Sequence, residues 1–149
     1  MKHQVLKNNV EDIAESNWSK GDTIAHSRKR IIPDKGINKL YCDIYEIPPK
    51  MSNWPSHFHT SNEEVFFILE GEGEVITKED TFQVRPGDVV RFPAGEKGTH
   101  QLRNISETKK LRYLDFGTTN LPDLVFMPDE NKIELIEDNK EKTWNYTEE

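Results

Sequence analysis

The sequence predicts an all-β sandwich or barrel, and three features predict it. Beyond about Lys39, apolar and aromatic residues come in short runs with a period of two, the pattern of strands with one buried face. Turns carrying glycine, proline and aspartate separate these runs every several residues. No amphipathic helix pattern lies between them, which argues against the strand–helix alternation of a parallel α/β sheet.

The N-terminal arm, residues 1–38, places Leu6, Val10, Ile13 and Ala14 near helical spacing. That spacing fits a short helix, and equally an extended arm that packs Trp18 against the barrel. In residues 39–47, Leu40, Cys42 and Ile44 face one way while Tyr41, Asp43 and Tyr45 face the other. Pro48 and Pro49 end this run, because proline cannot donate to a strand ladder. Glu64–Glu70 stops at Gly71 and a second run follows Gly73, so Gly71-Glu72-Gly73 reads as a tight hairpin turn. Lys78-Glu79-Asp80 is a polar turn before Thr81–Val84. Arg85-Pro86-Gly87-Asp88 puts proline where φ is near −65° and glycine where φ is free to be positive. Residues 88–92, 100–104 and 110–117 complete the series.

In the C-terminal extension, residues 118–149, the runs 125–127 and 132–136 predict an edge hairpin around Pro128 and Asp129. Residues 137–149 form a polar tail whose Trp144 and Tyr146 are suited to dock on the body or on a partner subunit.

A length of 149 residues fits one domain spanning the whole chain, with its core at about 39–117. A net charge of -7 argues against a general nucleic-acid role, since phosphate binding needs a positive footprint. The one compact basic run, Ser27-Arg28-Lys29-Arg30, reads as a solvated strand edge or loop. Cys42 is the single cysteine, so no intrachain disulfide forms, and its alternating context suits a reduced core thiol. No run has signal-peptide character or approaches the roughly 20 apolar residues of a membrane span. A cytoplasmic protein without membrane association is the resulting expectation.

The chemistry-bearing feature is His57-Phe58-His59. Histidines at i and i+2 of an extended segment project from one face, where both imidazoles reach an ion about 2 Å away. Glu64 shares its face with Phe66 and Ile68, whereas Glu63 and Val65 point oppositely, so Glu64 is the better carboxylate ligand. His100 opens a later strand, after the loop 95–98. His3 and His26 read as structural. A lone His-x-His pair would read as chance or as a surface pair; the flanking pattern changes that.

The flanking pattern resembles the cupin superfamily over about residues 39–116. Its first motif is matched by His57, His59, Glu64 and Gly71, and its second by Gly87, Pro93, Gly95, His100 and Asn104. The chain departs from the pattern twice. Glu96-Lys97-Gly98-Thr99 lengthens the second motif, and residues 49–54 replace the glycine upstream of the first. The lengthened loop, with Tyr113-Leu114-Asp115-Phe116-Gly117 after it, is similar to small bacterial cupins of a sugar-phosphate-isomerase-like group.

The resemblance implies a double-stranded β-helix, or jelly-roll barrel, with an N-terminal arm. It implies one divalent metal ion, Zn, Ni, Fe or Mn, held by His57, His59, Glu64 and His100, and it suggests a homodimer. Such a ligand set leaves positions open for a small-molecule ligand or substrate. Three functions stay open: a metal-dependent isomerase or epimerase acting on a small polar substrate such as a sugar phosphate, a metal-dependent dioxygenase, and a non-catalytic binding or sensing module. A metal that only braces the barrel is the plainest alternative.

No catalytic residue is assigned. Tyr41, Tyr45, Arg91, Tyr113 and Asp115 are pocket candidates where they face inward, and the phase of residues 88–92 leaves Arg91 open. Glu63 reads as a solvated carboxylate or as a support for a ligand histidine, and Trp54 either walls the pocket mouth or packs.

Overall fold

The computed structural model describes residues 5–32, 39–137 and 140–146. Thirteen strands are present among them: β1 Ser16–Lys20, β2 Ile24–Arg30, β3 Leu40–Ile47, β4 Phe58–His59, β5 Glu64–Glu70, β6 Gly73–Thr77, β7 Thr81–Val84, β8 Val89–Phe92, β9 His100–Asn104, β10 Leu111–Thr118, β11 Asp123–Met127, β12 Lys132–Glu137 and β13 Lys140–Asn145. One layer is a six-stranded sheet ordered β1-β2-β3-β10-β5-β8. A four-stranded sheet, β13-β12-β11-β4, and a three-stranded sheet, β7-β6-β9, make up the rest. An antiparallel bridge between His57 and His100 joins these two where β4 meets β9.

Alternation explains which side chains are inside. Along β5, Glu64, Phe66 and Ile68 are buried while Val65 and Phe67 are not. Along β10, Leu111, Tyr113, Asp115 and Gly117 are buried, again every second residue. Ile47, Phe66, Ile68, Val75, Leu102, Leu111 and Tyr113 form the apolar core between the large sheet and the three-stranded one. Fully burying one such side chain contributes roughly 1.5–3 kcal/mol.

The N-terminal arm is a β-hairpin. Leu6 is exposed, and among the described residues the only helical ones near it are a single 3-10 turn, Val10–Asp12, capped by the Asn9 side chain. This turn buries no residue, so it offers no packed face on which a longer helix could build. Beyond the turn, β1 and β2 pair around Gly21, whose φ of 58° suits glycine, and β2 pairs in turn with β3. The arm and the C-terminal extension thus continue the sheets well beyond residues 39–117. The expected edge hairpin is β11–β12, with its turn at Pro128–Glu130, and β13 adds to it. Tyr146 docks on Phe126, while Trp144 is exposed.

On β3 the inward face is the polar one. Tyr41 and Asp43 are buried, Leu40 is exposed and Cys42 is only half-buried, so Cys42 is not a core thiol. Ile44 is buried on the other side. Among the described residues, no helix is long and apolar enough to cross a membrane.

Candidate metal centre and cavity

Three histidines approach one carboxylate oxygen. Nε2 of His57, His59 and His100 lies 3.7, 3.4 and 3.2 Å from Glu64 Oε2. Backbone pairing sets this geometry. His57 and His100 exchange both of their amide–carbonyl hydrogen bonds, at 3.1 and 3.0 Å, so their side chains stand on one face. His59 follows two residues after His57, and Glu64 opens β5 on the opposing sheet.

Each imidazole is anchored through its other nitrogen. Nδ1–H of His57 donates to Pro55 O at 2.8 Å, and that of His100 to Gly98 O at 2.8 Å. Nδ1–H of His59 donates to Asp123 Oδ2 at 2.6 Å. Carbonyl and carboxylate oxygens only accept, so each Nδ1 carries a hydrogen and Nε2 is the atom that each ring turns toward Glu64 and that ligates once it is unprotonated.

The electrostatics follow from this crowding. Burial pushes the His57 imidazole down from its usual value. For His59, burial acts in the same direction, but Glu64 and Asp123 outweigh it and push the ring up to about 10. Burial disfavours the Glu64 anion, yet the facing imidazoles of His100 and His59 hold its carboxyl well below the usual range.

The donor set fits a metal ion. Glu64 Oε2 and His100 Nε2 are buried without a hydrogen-bond partner. Ligand atoms of His57, His59 and Glu64 all lie within 4.8 Å of one another. Donors about 2.1 Å from one ion lie about 3.0 Å apart across an octahedral edge and about 3.4 Å apart across a tetrahedral one. The three nitrogen–oxygen separations fall close to those values. His57, His59 and Glu64 are therefore a candidate metal site, with His100 meeting it at Glu64.

The loop that delivers His100 depends on close packing at one glycine. A Cβ on Gly98 would stand 1.9 Å from Pro93 O, so the lengthened loop closes this way only with glycine there. The stacking of His100 on Phe92, ring centroids 3.6 Å apart, then holds the imidazole.

Beside these residues lies a cavity of about 450 Å³ between the large sheet and the four-stranded one. Tyr41, Tyr45, Tyr113 and Asp115 line it from β3 and β10. The Tyr41 hydroxyl donates to Asp115 Oδ1 at 2.7 Å. Burial, with Asp115 and Glu64 nearby, pushes the Tyr41 hydroxyl well up, so it stays protonated. Val125 and Glu134 line the opposite wall.

Other sequence expectations divide. Trp54 lines the cavity and also packs, stacking on Trp18 with ring centroids 4.1 Å apart. His26 is buried and bonded through Nδ1 to Asn53 O at 2.9 Å, a structural role, while its ring also borders the cavity. His3 lies outside the described residues. Glu63 does not support a histidine: it is exposed and accepts from Arg91 at 2.6 Å, and both residues face solvent. The support role belongs to Asp123, which the sequence reading missed because it began that strand at Val125. The alternation Asp123, Val125, Met127, all buried, is the signal that would have found it. The basic run is not a uniformly solvated edge, since Arg28 and Arg30 face the cavity. Lys29, facing away from them, donates to Val10 O.

Comparison with known proteins agrees with this geometry. The cupin domain model matches residues 43–117. An uncharacterised protein of Methanocaldococcus jannaschii is 36% identical over 71 residues, covering 48% of this chain and 54% of that one. The chain thus spans about half the length of the curated relative it matches. Among solved structures, one described as a sugar phosphate isomerase from a cupin superfamily, of Silicibacter pomeroyi, superposes with a TM-score of 0.82 at 18% identity. That match covers 94% of this chain and 92% of the other. One described as a predicted oxalate decarboxylase, of Thermotoga maritima, gives a TM-score of 0.66 at 22% identity over 77% of this chain and 100% of its own. These two carry different names on one architecture, so the likeness speaks for fold and not for reaction. With half of its length matched by the domain model and its histidines and glutamate gathered where the two motifs place them, the chain belongs to the cupin family.

Proposed function

We propose that this protein is a metal-dependent isomerase or epimerase acting on a small hydroxy-carbonyl compound, with a sugar phosphate the favoured substrate class. One observation carries the reading: three Nε2 atoms and the unpartnered Glu64 oxygen converge at the edge of a cavity that also holds the Tyr41–Asp115 pair. His57, His59, Glu64 and His100 would hold one divalent ion. When bound, such an ion acts as a Lewis acid on substrate oxygens and acidifies the adjacent C–H.

The remaining chemistry belongs to the chain. Asp115 accepts a hydrogen bond from Tyr41 and borders the cavity, which places a carboxylate where it can take a proton from a substrate carbon and return it to a neighbouring one. Tyr41, kept protonated by burial, orients Asp115 by donating its one hydroxyl hydrogen to it. Burial of the site and the aromatic wall restrict water at the reacting atoms.

The test is turnover of aldose and ketose phosphates by the metal-loaded protein. Asp115→Asn should abolish exchange of the substrate C–H with solvent deuterium while the metal content stays that of the wild type. Deuterium exchange unaffected by chelation and by Asp115→Asn overturns the reading.

A further inference from the structure

We infer that Arg28 and Arg30 of the N-terminal hairpin form an anion subsite, so that the ligand carries a phosphate or carboxylate group at the end remote from the metal centre. The inference rests on the cavity being a ligand pocket, as proposed above, and adds which end of the ligand the chain recognises and with which residues.

The alternation of β2 places His26, Arg28 and Arg30 on one face, and all three border the cavity. Across the sheet, Arg28 lies opposite Tyr45, which lies opposite Tyr113, which lies opposite Ile68 on β5. Glu64 is on that same β5 strand, four residues from Ile68, so the arginines and the candidate metal ligands are separated by three strand spacings across the sheet, about 14 Å, and by a further offset along the strands. The cavity is one continuous space that reaches both. A volume of about 450 Å³ suits a small molecule, which would place an oxygen-rich end at Glu64 and an anionic end at β2.

A guanidinium beside a buried carboxylate often serves only to balance it, and Asp43 and Asp115 lie across from β2. Here neither Arg28 nor Arg30 is within ion-pair distance of a carboxylate among the described residues, and Asp43 and Glu141 act on Arg28 only from farther away. Among the described residues, the Arg28 guanidinium makes one long contact, 3.5 Å, to the Tyr45 hydroxyl. Arg28 is half-buried, which strengthens its attraction for an anion, and its fork of donors matches phosphate or carboxylate oxygens in pairs. Trp18 of β1 stacks on Trp54, and His26 bonds Asn53, so the hairpin is fastened to the barrel where it presents these arginines. Both arginines lie outside the residues matched by the cupin domain, which makes the hairpin the element that adds ligand selectivity to a shared metal centre.

The test is calorimetric titration of the full-length, metal-loaded protein with ribose 5-phosphate against ribose, and with glucuronate against glucose. In one pair the anion should bind at least about tenfold more tightly than its neutral partner, and which pair does so identifies phosphate or carboxylate. That advantage should vanish in Arg28→Gln/Arg30→Gln, with circular dichroism and melting confirming the fold, and return in part with Arg28→Lys. An advantage that survives the double variant, or none in either pair, overturns the subsite. Repeating the titrations after chelation separates the two proposals. An advantage lost on chelation but kept in the double variant counts against the subsite alone, whereas sugar binding indifferent to metal counts against the metal-centred reading alone.

Discussion

Asp123 Oδ2 lies 2.6 Å from His59 Nδ1, and this contact determines which nitrogen of His59 faces Glu64. Asp123 is almost wholly buried and its other oxygen accepts from Ser61 N at 2.9 Å, so the carboxylate is itself held in place. Removing such a support typically costs 10–100-fold in metal affinity. Asp123→Ala is therefore expected to weaken metal binding by about 10–100-fold. Asp123→Asn should weaken it less, because an amide oxygen still accepts from Nδ1–H. Competition with a chromogenic chelator measures both, and equal affinities in wild type and Asp123→Ala would refute the role.

A bound ion should raise the melting temperature, since any ligand specific for the folded state stabilises it by mass action. At 100-fold excess over the dissociation constant the gain is about 2.7 kcal/mol. Titrating chelator-treated protein with Zn, Ni, Fe or Mn should shift melting upward for at least one of them. The shift should disappear in His57→Ala and in Glu64→Gln. A shift of the same size in both variants would place the ion elsewhere.

Gly98→Ala tests the lengthened loop. The added Cβ would meet Pro93 O at 1.9 Å, and Gly98 O is the acceptor that orients His100. The loop must move, which is expected to cost about 1–3 kcal/mol in stability and to lower metal affinity with it. Melting and chelator competition on the same variant should move together. Lost stability with unchanged metal affinity would show that the loop does not position His100.

The parts of this site legible in the sequence were those governed by local periodicity. His57 and His59 share a face because a strand alternates, and the same rule turns Glu64 inward and Glu63 outward, which is how the two are buried and exposed. What alternation could not supply was pairing between distant strands. β1, Ser16–Lys20, contains one sizeable apolar residue, Trp18, and its strand character comes from its partner β2. Asp123 reaches His59 only because β11 pairs with β4, opposing Val125 to His59 across more than sixty residues. The inward turn of Arg28 likewise follows from the register of β2 on β3.

The hairpin's attachment gives another expectation. Trp18 stacks on Trp54 at 4.1 Å and on His26 at 5.5 Å, and such aromatic pairs contribute about 0.5–1.5 kcal/mol beyond buried area. Trp18→Ala should speed hydrogen exchange in β1 and β2 while leaving β6 and β9, which pair in the other layer, at wild-type protection. Uniform acceleration across all strands would mean that the hairpin and the barrel open as one unit.

The stability of the metal-free protein and its affinity for a metal ion should respond to pH in opposite directions. In the metal-free protein the His59 ring is raised from 6.5 to about 10 by Glu64 and Asp123, against the effect of burial. A raised histidine contributes stability that is fully present below its unfolded value and is lost as pH climbs through its folded value. Stability of the metal-free protein should therefore fall between about pH 6.5 and 10, by up to about 1.4 kcal/mol per unit. Glu64 has the other sign. Its lowered carboxyl adds stability present above 4.5 and lost as pH falls through the folded value. Metal binding requires His59 to give up its proton, so affinity should rise with pH across the window in which the metal-free fold weakens. Urea titrations of chelated protein at several pH values test the first trend, and calorimetry in buffers of different ionisation enthalpy tests the second by counting the proton released. Binding at pH 7 without proton release would show that His59 is neutral before the ion arrives.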